Sequence, residues 1–239
     1  MCLFIAKIRQ RTCHFPHFCY KNALFSAFSK QHLNYAKVSI KFKLEHKKYP
    51  FNFDDKDFIK INNLRKKFYN LRLIGCDKNL YNGLGYGNIS KRYKNTQQFI
   101  ISGSQTGHIK NTLKEHYSQV QCCNIELNHI KSLGMVKPSS ESLTHAVFYQ
   151  LDKSIKWVVH IHNNKLWSLC KKLNFPVVNH KISYGTIKMA EIVGELYKNT
   201  TSKESGIFVM LGHQDGLILY STTKNKIFKI LDNFYEIQK

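Results

Sequence analysis

Acidic side chains and arginine are what this sequence has least of. Aspartate and glutamate number 15 against 37 lysines and arginines, a formal net charge of +22. Such a balance raises a nucleic-acid partner, because clustered cations release the counterions condensed on phosphates. Only five of the basic residues are arginine, however, and the thirty-two lysines are spread along the chain. Arginine is the side chain that forks onto phosphates and reads guanine edges. With no arginine-rich run, aromatic-interleaved RNA motif or zinc-finger spacing, specific nucleic-acid binding is set aside. The excess of lysine, asparagine, isoleucine and tyrosine reads as coding bias in an AT-rich genome.

Long apolar runs are missing too. No stretch approaches the roughly 18 uninterrupted apolar residues of a membrane span, so the chain is expected to be soluble. Its 43% hydrophobic and 13% aromatic content can supply a packed interior. The seven cysteines are odd in number and lack the regular spacing of a disulfide framework, which points to a reducing, cytoplasmic compartment. Cys13, His14, His17 and Cys19 lie close enough to be drawn as a metal site, but such crowding in a short segment often arises by chance.

At 239 residues the chain suits one domain with an extension. Residues 1–44 hold eight basic residues and no acidic one. That is one feature of a mitochondrial transit peptide, without the regular amphipathic arginine and serine pattern. They are placed outside the fold, leaving 45–239 as the domain. Within it, Phe58, Ile61, Leu64 and Phe68 recur at helical spacing. The glycine-rich YNGLGYG at 81–87 reads as a loop, and strands at 88–93 and 98–102 as a hairpin. Further strands are expected at 120–127, 157–162, 206–211 and 217–220, an extended segment at 175–180, and helices at 141–151, 164–173, 187–197 and 225–237. Ser139 and Ser140 are placed to cap the first of those four helices.

The most specific local signal is VVHIH at 158–162, where His160 and His162 alternate on a strand and project from one face. Two such imidazoles can share a metal. In PSSES, Glu141 falls at a helix start, where a carboxylate can face the same site. GHQDG offers His213 or Asp215 as a closing ligand, the imidazole being the commoner zinc donor. Around these lie GNIS, QTG and the PSSES serines. Their glycine turns expose backbone N–H groups and, with Asn, Thr and Ser side chains, suit a phosphate. His145 reads as a helix-packing or surface residue, His108 as a surface or anion-facing one, and Tyr184 as structural.

Taken in order, GYGNIS, IISGSQTG, PSSES, VVHIH, YGT and GHQDG resemble the class II aldolase/adducin family from about Phe51 onward. The resemblance implies a three-layer α/β/α fold with a central, mostly antiparallel sheet. It implies a divalent metal, zinc, on His160, His162 and a third residue, with Glu141 as a ligand that swings away to act as the base. It implies a phosphate cradle of Asn88, Thr106, Gly107, Ser139 and Ser140. The activity implied is that of a metal-dependent lyase or epimerase working on a small phosphorylated sugar through a zinc-stabilised enediolate. A methylthioribulose-phosphate dehydratase-like reaction and an inactive adducin-like binding module are the alternatives. A homo-oligomer, most readily a tetramer, is implied as well. One departure stands out: family enzymes usually carry histidine directly before the last glycine of the final motif, where this chain has Asp215, with His213 two residues earlier.

Overall fold

The computed structural model describes residues 40–179 and 181–237. The Cys13–Cys19 cluster, most of the basic extension and His180 lie outside them. The chain runs β1 (Lys43–Lys48), α1 (Asp55–Asn70), β2 (Gly75–Cys76), β3 (Gly85–Tyr86), β4 (Asn88–Arg92), β5 (Phe99–Ser102), β6 (Tyr117–Asn124), β7 (His129–Gly134) and α2 (Ser142–Leu151). It continues with β8 (Trp157–His162), α3 (Asn164–Lys172), β9 (Val177–Val178), α4 (Ile187–Asn199), β10 (Ser205–Met210), β11 (Gly216–Ser221) and α5 (Lys224–Ile237).

Nine strands make one sheet in the order β1-β7-β6-β5-β4-β8-β11-β10-β9, and β2 and β3 form a separate ribbon. The outermost pairings, β1 with β7 and β9 with β10, are parallel. Every pairing between them is antiparallel. All six residues of the central strand β8 are buried, because both faces of the sheet are covered. One core joins Val158, Ile218 and Tyr220 to Leu143 and Phe148 of α2 and Met189 and Val193 of α4. The other joins Val159, Ile161, Leu217 and Leu219 to Ile61, Leu64 and Phe68 of α1, Leu166 of α3 and Leu231 of α5. The result is the expected three-layer α/β/α architecture. Each fully buried aliphatic or aromatic side chain in these layers contributes about 1.5–3 kcal/mol.

Local chemistry explains the elements. Asp54 caps α1 by accepting from the Asp57 N–H at 3.1 Å, and Asp55 and Asp57 complement the positive helix end. Helix α2 begins at Ser142, with Glu141 itself in the cap position and making no side-chain cap bond. The serine caps expected from sequence therefore do not form as such. Ser139 Oγ accepts instead from the Glu141 N–H at 3.3 Å, just outside the helix.

The sequence expectation of one strand at 120–127 gives way to two. β6 stops at Asn124, and Asn128 in the left-handed region turns the chain into β7. Ile125 and Leu127 look like strand residues but belong to the turn, where Leu127 is 67% exposed. The domain limit also moves. β1 takes in Lys43 and Leu44, and Phe42 is buried in the first core, so the fold draws on residues that the charge pattern had assigned to the extension.

Arg92 ties the layers together. It is 2% exposed and donates to four carbonyls, those of Ile155 at 2.7 Å, Thr96 at 2.6 Å, Tyr149 at 2.9 Å and Asp152 at 2.6 Å. The last two lie at the C-terminal end of α2, where a cation is favoured. Arg92→Met removes all four bonds and strands buried acceptors. It is expected to lower unfolding free energy by about 2–5 kcal/mol in urea titration; a loss near zero would mean that these carbonyls find water.

Candidate active site

On β8, Val159 and Ile161 enter the α1 side of the sheet, so His160 and His162 face the α2 side. His160 is buried, with Nδ1 3.0 Å from the Leu217 carbonyl. A carbonyl can only accept, so Nδ1 carries the proton and Nε2 presents a lone pair. That nitrogen sits 3.0 Å from Nε2 of His162. β11 places Gly216 beside His162, and the turn leading into it brings His213 over the pair. The His213 N–H bonds the Met210 carbonyl at 3.2 Å, and the Gly216 N–H bonds that of His213 at 2.8 Å. The three rings lie 4.5–4.7 Å apart between centroids. A nitrogen from each falls within 4.8 Å of the others.

This donor set fits a divalent ion of the zinc type. Two imidazole nitrogens bound to one tetrahedral zinc stand roughly 3.3 Å apart, close to the separation here. Burial holds His160 down to about 4, the Leu217 carbonyl opposing, and holds His162 and His213 well below the ordinary histidine range with help from their neighbouring imidazoles. All three are thus neutral near pH 7, the form that ligates. Glu141 Oε1 lies 3.5 Å from His213 Nδ1, and both atoms are buried without a hydrogen-bond partner. With His213 neutral, that contact is no ion pair. It leaves two unsatisfied donor atoms beside the cluster. Burial pushes the Glu141 carboxyl up to about 7, against the Thr144 hydroxyl and Lys41, which pull it down.

The two candidates for the third ligand separate. His213 joins the cluster; Asp215 does not. Asp215 Oδ2 accepts from the Tyr81 hydroxyl at 3.0 Å and Oδ1 from the Asn164 amide at 2.9 Å. Both residues sit in the turn between β10 and β11, not on a strand edge, and that turn curls His213 inward. His145 packs in the core, its Nδ1 2.7 Å from the Ser90 hydroxyl, and His108 is exposed.

The residues expected to form an anion cradle line a cavity beside the histidines. A cavity of about 300 Å³ is lined by Asn88, Thr106, Gly107, Ser139 and Ser140 together with Glu141 and the three histidines. Asn88 is the β4 partner of His160, and its Oδ1 is buried and unpaired. The 103–107 and 137–140 loops are held together by the Ser104 N–H on the Lys137 carbonyl at 2.8 Å. Thr106 turns its hydroxyl inward onto the Gly103 carbonyl at 2.8 Å, and its own carbonyl accepts from the Ile109 N–H at 3.1 Å. Two glycines are required. Gly87 has φ +71°, and a Cβ on Gly107 would lie 2.3 Å from the Gly75 carbonyl oxygen.

Three tyrosines complete the walls. Tyr81 packs edge-on against His162 at 4.6 Å, Tyr86 lies 5.7 Å from the same ring, and Tyr184 stacks on His213 at 4.8 Å. Tyr184 is therefore a wall of the site where sequence had it as structural. Tyr81 and Tyr86 were hidden in a glycine-rich segment whose pattern signals only a loop.

The buried histidines set an acid limit on the metal-free protein. Unfolded histidine takes its proton near 6.5, whereas burial holds His160 down to about 4 and His145, His162 and His213 well below the ordinary histidine range. Between those values the unfolded state binds more protons, so stability falls as pH falls. Glu141, protonated in the fold up to about 7, opposes this by one proton. The net expectation is a loss of about 3 kcal/mol per pH unit between pH 6.5 and 5, read from urea midpoints of metal-free protein. A flat profile there would contradict the buried, neutral assignment.

Comparisons with known proteins bear on the fold and the family. Residues 73–213 match the family described as Class II Aldolase and Adducin N-terminal domain. Among solved structures, an L-fuculose 1-phosphate aldolase is similar at TM-score 0.57 and 16% identity, covering 77% of this chain and 84% of its own. YgbL from Escherichia coli, a putative aldolase/epimerase/decarboxylase, is similar at 0.55 and 15%, covering 74% and 84%. A sugar-phosphate aldolase from Thermotoga maritima is similar at 0.53 and 14%, covering 74% and 90%. At these identities the likeness speaks for the fold. No curated protein matches the chain by sequence. The family match spans more than half of the 239 residues, and the chain belongs to the class II aldolase and adducin N-terminal domain family.

Proposed function

We propose that the protein is a metal-dependent enzyme of the class II aldolase type, a carbon–carbon lyase or epimerase acting on a small phosphorylated sugar. The observation that carries this reading is the convergence of His160, His162 and His213 within 4.8 Å, with an unpaired buried Glu141 oxygen beside them. A binding module has no need of such a constellation. His213, the residue left in doubt by the altered last motif, takes its place in it.

In this reading His160, His162 and His213 would hold one divalent ion, zinc by donor type. The ion, when bound, supplies Lewis-acid polarisation of a carbonyl and its neighbouring hydroxyl. Asn88, the Thr106–Gly107 backbone, Ser139 and Ser140 bind and orient the substrate phosphate, which fixes the reacting carbon relative to Glu141. Glu141 takes and returns the proton. A carboxyl held at about 7 by burial suits that role near neutral pH, since it is neither too weak to accept nor too strong to give back. Tyr81 and Tyr184 flank the ligand rings and restrict water. The same reading takes the protein to be a homo-oligomer, a tetramer by family resemblance.

The test is turnover of ketose 1-phosphates, L-fuculose 1-phosphate among them, by zinc-loaded protein. It is read both as aldehyde release and as solvent deuterium entering the carbon next to the carbonyl, so that cleavage and epimerisation are each visible. Glu141→Gln is expected to lower kcat by about 100- to 10,000-fold with little change in KM. Wild-type protein with a full metal site and no exchange or cleavage on any sugar phosphate would rule the reading out. Sedimentation at micromolar concentration checks the assembly, with a species of several chains expected and a lone monomer counting against it.

A further inference from the structure

Helix α1 covers the sheet face away from the histidines, yet one of its buried residues reaches the cradle. Arg65 is 1% exposed. Its Nη2 donates to the Thr106 carbonyl at 2.7 Å and its Nη1 to the Ile109 carbonyl at 2.7 Å. No carboxylate pairs with it among the described residues, and residues 1–39 contain no Asp or Glu. A guanidinium keeps its charge under all ordinary conditions. A full positive charge is therefore buried here with two carbonyls and the Tyr69 ring at 5.9 Å around it and its Nε unpartnered, an arrangement that is costly unless an anion approaches.

The bond to Thr106 has a directional consequence. The Thr106 carbonyl and the Gly107 N–H belong to one trans peptide, in which the two groups point in opposite directions. With the carbonyl held by Arg65 and by the Ile109 N–H at 3.1 Å, the Gly107 N–H faces away from α1, and Gly107 lines the cavity. That N–H donates to no backbone carbonyl among the described residues. A charged donor on the carbonyl also polarises the peptide and strengthens its N–H as a donor.

We propose that Arg65 is a positioning residue for the substrate's anionic end. It fixes and polarises the Thr106–Gly107 peptide so that the Gly107 N–H is presented to a phosphate, and it supplies the positive charge that the bound phosphate offsets. The inference rests on reading the surface around Asn88, Thr106 and Gly107 as a phosphate cradle. Arg65 touches no substrate; it acts through one peptide group. The Ile109 bond holds the far side of the same turn, so the guanidinium fork spans it and a single-point cation cannot reproduce the geometry.

Calorimetric titration with inorganic phosphate tests this, using zinc-loaded wild type, Arg65→Met and Arg65→Lys, with the zinc content of each measured alongside. Wild type is expected to bind phosphate saturably, Arg65→Met about tenfold more weakly and Arg65→Lys about threefold more weakly, since lysine keeps the charge and loses the fork. Zinc content is expected to be equal in all three. Folded Arg65→Met that binds phosphate as tightly as wild type overturns the inference. If Arg65→Met does not fold, Arg65→Lys decides in the same way: a lowered melting temperature with unchanged phosphate affinity marks a merely structural role. Wild type that binds no phosphate at millimolar concentration overturns the cradle reading and the inference with it.

Discussion

Everything about the site follows from two imidazoles forced to face each other inside a fully buried strand. Nε2 of His160 and Nε2 of His162 stand 3.0 Å apart, and the Leu217 carbonyl fixes the His160 tautomer so that a lone pair points at its neighbour. In a neutral protein His162 meets that lone pair only by carrying its proton on Nε2, which leaves its buried Nδ1 without a partner. A divalent ion on the two nitrogens would take the place of that proton, and burial keeps a second proton out, because His160 is held down to about 4. Hydrophobic packing of β8 on both faces thus sets the electrostatic condition for a metal. The layers are there to exclude water as much as to stabilise the chain.

The remaining groups are arranged around that constraint by backbone more than by side chains. Asn88 sits beside His160 because β4 pairs with β8 in that register. Glu141 faces His213 because the helix it precedes packs on the same side of the sheet. Gly107 can approach because nothing projects from it toward Gly75. Arg65 extends the arrangement to the opposite layer, connecting α1 to the turn that carries Thr106 and Gly107.

Much of this was legible in the sequence. The alternation of VVHIH placed both histidines on one face, helical spacing marked α1, and helices were expected at 141–151 and 187–197, where α2 and α4 lie. The glycine-bearing turns are where the cavity beside the histidines opens. What was not legible has identifiable causes. Which of His213 and Asp215 closes the site depends on how a five-residue turn curls, and nothing in GHQDG records that; the answer lies in Tyr81 and Asn164, far apart in sequence, which take up the aspartate's oxygens. β1 was missed because KLEHKK is charged throughout and only Leu44 and His46 turn partly inward. Tyr184 and Arg65 were unreadable for a related reason. A lone tyrosine in a loop and a lone arginine on an amphipathic helix acquire meaning only from what they meet across the fold.

The central claim is that His160, His162 and His213, and not Asp215, make one metal centre. Zinc stoichiometry after removal of loosely bound ions tests it directly in wild type, the His160→Ala/His162→Ala double variant, His213→Ala and Asp215→Ala. The account predicts close to one zinc per chain in wild type and in Asp215→Ala, none in the double variant, and weakened retention in His213→Ala. A wild-type protein that excess zinc cannot load, or one that loses its zinc with Asp215 and keeps it without His213, would contradict it.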